Sequence, residues 1–324
     1  MSEQILHAYV LDGLGGGELL PNSAISEHIN DDEQLTWVHL DSNHESTKSW
    51  LEAEASYLDP MIIEALLEDA TRPRMTQFEQ GILLILRGVN LNHNSDPEDM
   101  ISIRLWVDQH RIISMRRRRL KVVGDIQDKI TKGHGPKDSG DLICMLANGL
   151  FDRMEPVLSS LDETTDDIEE QILEKSDLSL RQSIIEVRKR AIIFRRYMAP
   201  QRDAISQLRM ADITWLDDMH KRHLQEAYNH VTRYVEDLDT IRERAQIVKD
   251  ELANMMADKL NRNMYVLSVI AAIFLPLGFL TGLLGINVGG IPGAENPDAF
   301  LIFCGILTAT VITQVTIFKI FKWF

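Results

Sequence analysis

Apolar positions change their rhythm along the chain. Up to residue 115 they come in short bursts: Ile5 to Val10, Trp37 to Leu40, Ile82 to Val89, Ile101 to Val107 and Ile112 to Met115. Each burst has strand length and is bounded by turn-forming residues such as Asp12-Gly13 or the Asn92 to Pro97 segment. Between them, Glu45 to Tyr57 and Pro60 to Ala70 carry helical spacing. Residues 1–135 are therefore expected to form a mixed α/β domain within an α+β architecture.

From about Asp141 the pattern is helical for more than a hundred residues, with interruptions expected at Pro200 and at Asp212 to Thr214. Leu224, Val231, Leu238, Ala245 and Leu252 recur every seven residues, and Ala227, Tyr234, Ile241, Val248 and Met255 follow each by three. Five heptads of this kind make an apolar seam that needs partners. Those partners are expected both in the same chain, as an antiparallel helix pair, and in other copies. No breaker lies between Trp215 and Pro276, so residues 136–262 are expected to form a helical stalk that continues without interruption into the C-terminal segment.

That C-terminal segment is apolar. After Arg262 the next ionisable residue is Glu295, and after Asp298 none occurs until Lys319. Tyr265 to Leu284 and Ala299 to Phe318 are uncharged runs that each reach about 30 Å as helices, the hydrocarbon thickness of a bilayer. Residues 263–324 are thus expected to be a two-helix transmembrane hairpin, with spans at about 265–284 and 299–318. Lys259 and Arg262 precede the first span, Lys319 and Lys322 follow the second, and the loop holds only Glu295 and Asp298. The positive-inside rule then puts both chain ends in the cytoplasm. The opening MSEQILHAYVLDG has no basic stretch followed by an apolar one, so no secretory signal is expected there.

Charge narrows the function. The 34 Lys+Arg and 49 Asp+Glu leave a formal charge of −15, all of it on residues 1–262, which argues against a nucleic-acid partner. The basic run Arg116 to Arg119 lacks aromatic interleaving, and Gly13-Leu14-Gly15-Gly16-Gly17 lacks the Lys-Ser/Thr of a phosphate loop. With Cys144 and Cys304 as the only cysteines, neither a disulfide framework nor a Cys-cluster zinc site is available. No nucleophile and base stand in a recognisable constellation, so an enzyme is not expected, and no cofactor is implied.

Gly285-Ile286-Asn287, followed by Val288-Gly289-Gly290-Ile291-Pro292-Gly293, stands just past the first span. This Gly-x-Asn, with the hairpin, the long stalk and the final Lys-Trp-Phe, resembles the signature of the CorA family of divalent-cation channels and transporters. Thr71-Arg72-Pro73-Arg74 and Arg196-Tyr197-Met198-Ala199-Pro200-Gln201-Arg202-Asp203 resemble its zinc-transporting, ZntB-type branch. The resemblance covers essentially the whole chain. It implies a funnel-shaped homopentamer in the inner membrane, a pore lined by the first span, and Zn2+ as transported substrate, with proton coupling proposed for the branch. The alternatives are a CorA-like Mg2+, Co2+ or Ni2+ channel, or a membrane-anchored coiled-coil scaffold or metal sensor.

The residues bear on that pore directly. A ring of Asn287 amide oxygens can hydrogen-bond the water shell of a cation, and Gly285 lets carbonyls face the mouth. Between Asn263 and Ala294 there is no His, Cys, Asp or Glu to hold zinc directly or to relay protons. Helical spacing back from Gly285 selects Thr281, Gly278, Leu275 or Phe274, Ala271, Leu267 and Met264 as pore-facing, with Ile286 beside the mouth and Glu295 and Asp298 as outer acids. Away from the membrane, Asp217, His220 and His223 are spaced i, i+3, i+6 and are a candidate regulatory metal site.

Overall fold

The computed structural model describes residues 4–69, 71–174, 178–285, 291, 293 and 296–321. They form two compact units, Met1–Lys249 and Asp250–Phe324.

The first unit is built on one sheet. Its strands are β1 (Ile5–Leu11), β2 (Gly17–Leu19), β3 (Leu35–Asp41), β4 (Arg74–Gln77), β5 (Ile82–Gly88), β6 (Ile101–Val107) and β7 (Arg111–Arg116), in spatial order β2-β1-β3-β7-β6-β5-β4. Every neighbouring pair is antiparallel except β3 and β7. That parallel pair requires a long connection, which the chain makes through two helices and the three outer strands. Register places Ala8, Val38, Ile113, Trp106 and Leu83 opposite one another in a row across five strands. All five are buried in one apolar cluster, joined by Ile25 and Ile29 of α1 (Ile25–Ile29), Leu51 of α2 (Ser46–Glu54), and Ile62, Ile63 and Leu66 of α3 (Pro60–Leu67). Asp59 starts α3 by accepting from the Met61 N–H at 2.8 Å, with Pro60 at the first helical position.

Side chains alternate across a strand, so Ile82, Leu84, Leu105 and Ile112, all fully buried, belong to the opposite face. There α5 (Ser139–Asp152) and α7 (Leu178–Met210) pack on β5. All seven residues of β6 are buried, as expected of a strand covered on both sides. The remaining helices are α4 (Lys121–Thr131), α6 (Glu155–Glu174), α8 (Asp218–Gly285) and α9 (Ala299–Ile320).

Pro200 does not interrupt the helix as expected. It lies inside α7, which continues to Met210, whereas the break at Asp212 to Thr214 does separate α7 from α8. Next to Pro200, the Gln201 side chain accepts from the Arg87 N–H at 2.6 Å and donates to the Arg87 carbonyl at 3.0 Å. It thereby satisfies β5 where β4 no longer reaches.

The heptad seam is largely consumed inside the chain. Leu224, Ala227, Val231, Tyr234, Leu238, Ile241, Ala245 and Val248 of α8 are all buried. Around them, the Tyr234 hydroxyl donates to the Phe151 carbonyl at 3.3 Å and Arg195 pairs with Asp239 at 2.6 Å. Arg244 holds Asp162 at 2.9 Å, Glu169 at 2.6 Å, and Asp166. Tyr234 thus ties α8 to α5, Arg195 ties α7 to α8, and Arg244 ties α8 to α6.

The second unit holds the end of α8 and all of α9, the two described helices long and apolar enough to cross a membrane. Met264, Leu267, Phe274, Leu275 and Phe279 are exposed, as are Phe300, Leu301 and Ile312. Surfaces of that size are stable only against lipid or other apolar chains. Their hydroxyls are satisfied within the helices: Thr281 donates to Leu277 O at 3.0 Å, and Thr308, Thr310, Thr313 and Thr316 donate to the carbonyl four residues back at 2.7–2.9 Å. Water is not needed there, which suits a bilayer interior.

Candidate functional site

Two groups of residues carry candidate chemistry, one in each unit. In the second unit, Gln314 of α9 donates to the Ala272 carbonyl of α8 at 3.5 Å, and Val269 is the buried residue of this stretch of α8. Ala272, Ile273, Leu277 and Leu280, which are partly covered, lie on the same side as Val269 at 100° per residue. The expected pore-facing set lies opposite. Met264, Leu267, Ala271, Leu275, Gly278, Thr281 and Gly285 centre about 180° from Val269 and are all exposed. A Cβ added at Gly278 or Gly285 would meet no atom within 4 Å. Among the described residues, one continuous face of the first span is thus left without a partner. Asp298 precedes α9, where its carbonyl accepts from Ile302 N at 3.0 Å. Ile286, Asn287 and Glu295 lie outside the described residues.

In the first unit a buried imidazole meets three carboxylates. Asp217 caps α8: its Oδ1 accepts from the His220 N–H at 2.8 Å, the N3 position of the helix. The His220 backbone N–H contributes most to holding the Asp217 carboxyl below the usual carboxylate range, and the His220 ring adds to it. The cap turns the ring of His220 inward, where it is 4% exposed. Nδ1 lies 2.9 Å from Asp217 Oδ1, while Nε2 lies 3.2 Å from Asp138 Oδ1 and 3.3 Å from Asp141 Oδ1. Asp138 is itself the N-cap of α5, accepting from Asp141 N at 2.8 Å. Gly140 between them is the seat of the ring, since a Cβ there would stand 2.6 Å from Nδ1. One turn further along α5, the buried Cys144 approaches the His220 carbonyl at 3.7 Å. Burial, with Asp141, Asp138 and Asp217 nearby, pushes its thiol up to about 12, so it is not a thiolate ligand at neutral pH.

The structure therefore brings Asp217 and His220 together and leaves His223 exposed on the following turn. Sequence reasoning missed Asp138 and Asp141, which are far from His220 along the chain and share no local pattern with it. Among the described residues, Asp138, Asp141 and His220 are the group whose ligand atoms all lie within 4.8 Å of one another.

Two motifs singled out in the sequence meet at Arg87. Its guanidinium donates to the Thr71 carbonyl at 2.7 and 3.1 Å and lies 4.3 Å over the Tyr197 ring, while its backbone holds Gln201. Thr71-Arg72-Pro73-Arg74 and the Arg196 to Asp203 segment are thus parts of one joint between the sheet and α7. Nearby strands hold a second buried polar group. His7 and His39 are opposite in register, their rings 4.7 Å apart and 23° from parallel. His39 is fully buried with Nδ1 2.7 Å from Ser114 Oγ, which also accepts from Trp37 Nε1 at 2.8 Å. Burial first, then Arg116, holds the His7 imidazole down to about 4, and burial also holds His39 well below its ordinary value.

An α/β unit joined in one chain to two helices long and apolar enough to cross a membrane has the architecture of a membrane protein with a large polar domain. Similarity to known proteins specifies which. A family model described as CorA-like Mg2+ transporter protein matches residues 32–319, and the chain belongs to that family. It is 36% identical over 321 residues to the divalent cation transporter CmaX of Pseudomonas aeruginosa, covering 98% of this chain and 96% of that protein. It is 34% identical over 318 residues to the zinc transport protein ZntB of Yersinia enterocolitica, covering 98% and 95%. The solved structure of full-length CmaX aligns with a TM-score of 0.86 at 35% identity, covering 100% of this chain and 99% of that one. The expected fold class, the membrane location and the non-enzymatic role agree with these matches.

Proposed function

We propose that this transporter carries Zn2+ as its principal ion, as a homopentamer whose pore is lined by the uncovered face of the first span, with both chain ends in the cytoplasm. The observation that carries the reading is the composition of that span. From Asn263 to Ala294 it offers backbone carbonyls, small residues and the Asn287 amide, and no His, Cys, Asp or Glu. An ion passing such a wall keeps most of its water and is selected by size and charge density. A single two-helix hairpin encloses no lumen, so a path for the ion needs several copies about an axis. Met264 and Leu267 form the apolar end of the face and would gate by dewetting. The similarity to ZntB, named a zinc transport protein, supports Zn2+, and the absence of Asp, Glu and His from the span argues that any coupled proton moves through water or through the first unit.

The test compares two variants reconstituted at equal amounts of assembled protein. Asn287→Ala removes the amide from every subunit of the ring and should abolish most Zn2+ flux. Glu295→Gln/Asp298→Asn removes only the two loop acids, whose attraction for ions is screened over about 8 Å, and should retain most of it. A dead double variant beside a fully active Asn287→Ala would mean that loop carboxylates bind the metal directly.

A further inference from the structure

We infer that Asp138, Asp141 and His220 form a binding site for a single first-row transition ion of the Zn2+ class, separate from the translocation path. The spacing is the first argument. A charge-assisted N–H···O bond runs at about 2.7–2.9 Å. Two ligands bound to one tetrahedral zinc at about 2.0–2.2 Å stand about 3.4 Å apart. His220 Nε2 lies 3.2 and 3.3 Å from its two carboxylate oxygens, close to the edge of a coordination tetrahedron and longer than the ion pair it would otherwise be.

The surroundings supply the rest of a metal site. Asp217 brackets Nδ1, with its Oδ1 at 2.9 Å and its backbone N–H donating to Nδ1 at 3.2 Å, which holds the ring with Nε2 facing Asp138 and Asp141. The carboxylates are themselves held: Asp138 Oδ1 by the Asp141 N–H at 2.8 Å, and Asp141 Oδ2 by the Lys137 N–H at 3.1 Å. Gly140 is a glycine where any side chain would expel the ring. Asp138 also lines an open cleft of 840 Å³ whose wall carries Asp12, Glu18 and Glu33, a route of the right charge and a source of water for a fourth ligand. One imidazole with two carboxylates selects Zn2+, Co2+ or Ni2+ over Mg2+, which prefers oxygen alone. Because its ligands come from the N-termini of α5 and α8, a bound ion clamps the first turn of α8 to α5.

The test uses the full-length protein in detergent, stripped with chelator, and reads binding rather than flux. Co2+ titration followed by visible absorption, with Zn2+ displacement, should give one site per chain that millimolar Mg2+ does not displace. His220→Gln and Asp141→Asn should each weaken it by more than about tenfold, Gly140→Ala should do the same with all ligands present, and His223→Gln should not. Asn287→Ala should keep the site, so loss of transport and loss of this binding are separate results. If His220→Gln fails to fold by circular dichroism, Asp141→Asn and Gly140→Ala carry the comparison. Unchanged affinity and stoichiometry in those variants, or full displacement by Mg2+, would overturn the inference and leave the cluster as a structural contact between α5 and α8.

Discussion

Lowering the pH from 7 to 5 should destabilise the first unit through His7 and His39. His39 is fully buried and His7 half-buried in the sheet, and burial favours the neutral form of each. Below pH 6.5 the unfolded chain takes up a proton on each ring, while the folded chain does not until about 4 at His7. The unfolded state therefore binds more protons, so stability is complete above 6.5 and is lost as the pH falls toward 4. The gap between 6.5 and about 4 corresponds to about 3.4 kcal/mol in full, and to about 2 kcal/mol by pH 5, for His7 alone. For a unit of this size that is a drop in Tm of roughly 4–8 °C, with His39 adding in the same direction. Thermal unfolding followed by tryptophan fluorescence reads it locally, because the Trp37 ring lies 5.0 Å from His7. His7→Gln should flatten the pH dependence by about the His7 share. Equal stability at pH 7 and 5, or a His7→Gln slope identical to wild type, would refute the reasoning.

Packing and assembly give three further expected outcomes. Leu238→Ala, at a fully buried seam position, should cost about 2–5 kcal/mol, read as a lower midpoint in chemical denaturation. Arg244→Ala should cost up to about 1 kcal/mol, because the solvent-exposed Asp162, Asp166 and Glu169 are left facing one another, and added salt should recover part of that loss. Native mass spectrometry in mild detergent should show five copies; a stable monomer or dimer would contradict the pore.

The main strands and both spans were legible because their apolar runs have strand length between turn residues in the one case and bilayer length without charge in the other. The short elements were not: β2 has three residues, β4 four and α1 five, too few for any periodicity to register. Pro200 misled because a proline breaks an isolated helix, whereas packing of α7 on the sheet holds this one through it. The heptad seam was read correctly as buried, but the sequence could not say that most of its partners are in the same chain, since α5, α6 and α7 are as amphipathic as another copy would be. In the metal cluster, an i, i+3, i+6 reading treats Asp217, His220 and His223 as one helical face. Asp217 is instead the cap outside the helix, so His220 turns toward α5 and the missing ligands come from Asp138 and Asp141, which only the fold brings near.

Transport itself is the property to measure. Full-length protein reconstituted in liposomes should move labelled Zn2+ down a gradient at a rate well above protein-free vesicles, and Asn287→Ala at equal assembly should remove most of that excess. Zn2+ flux no greater than in protein-free vesicles, from correctly assembled protein, would contradict the account.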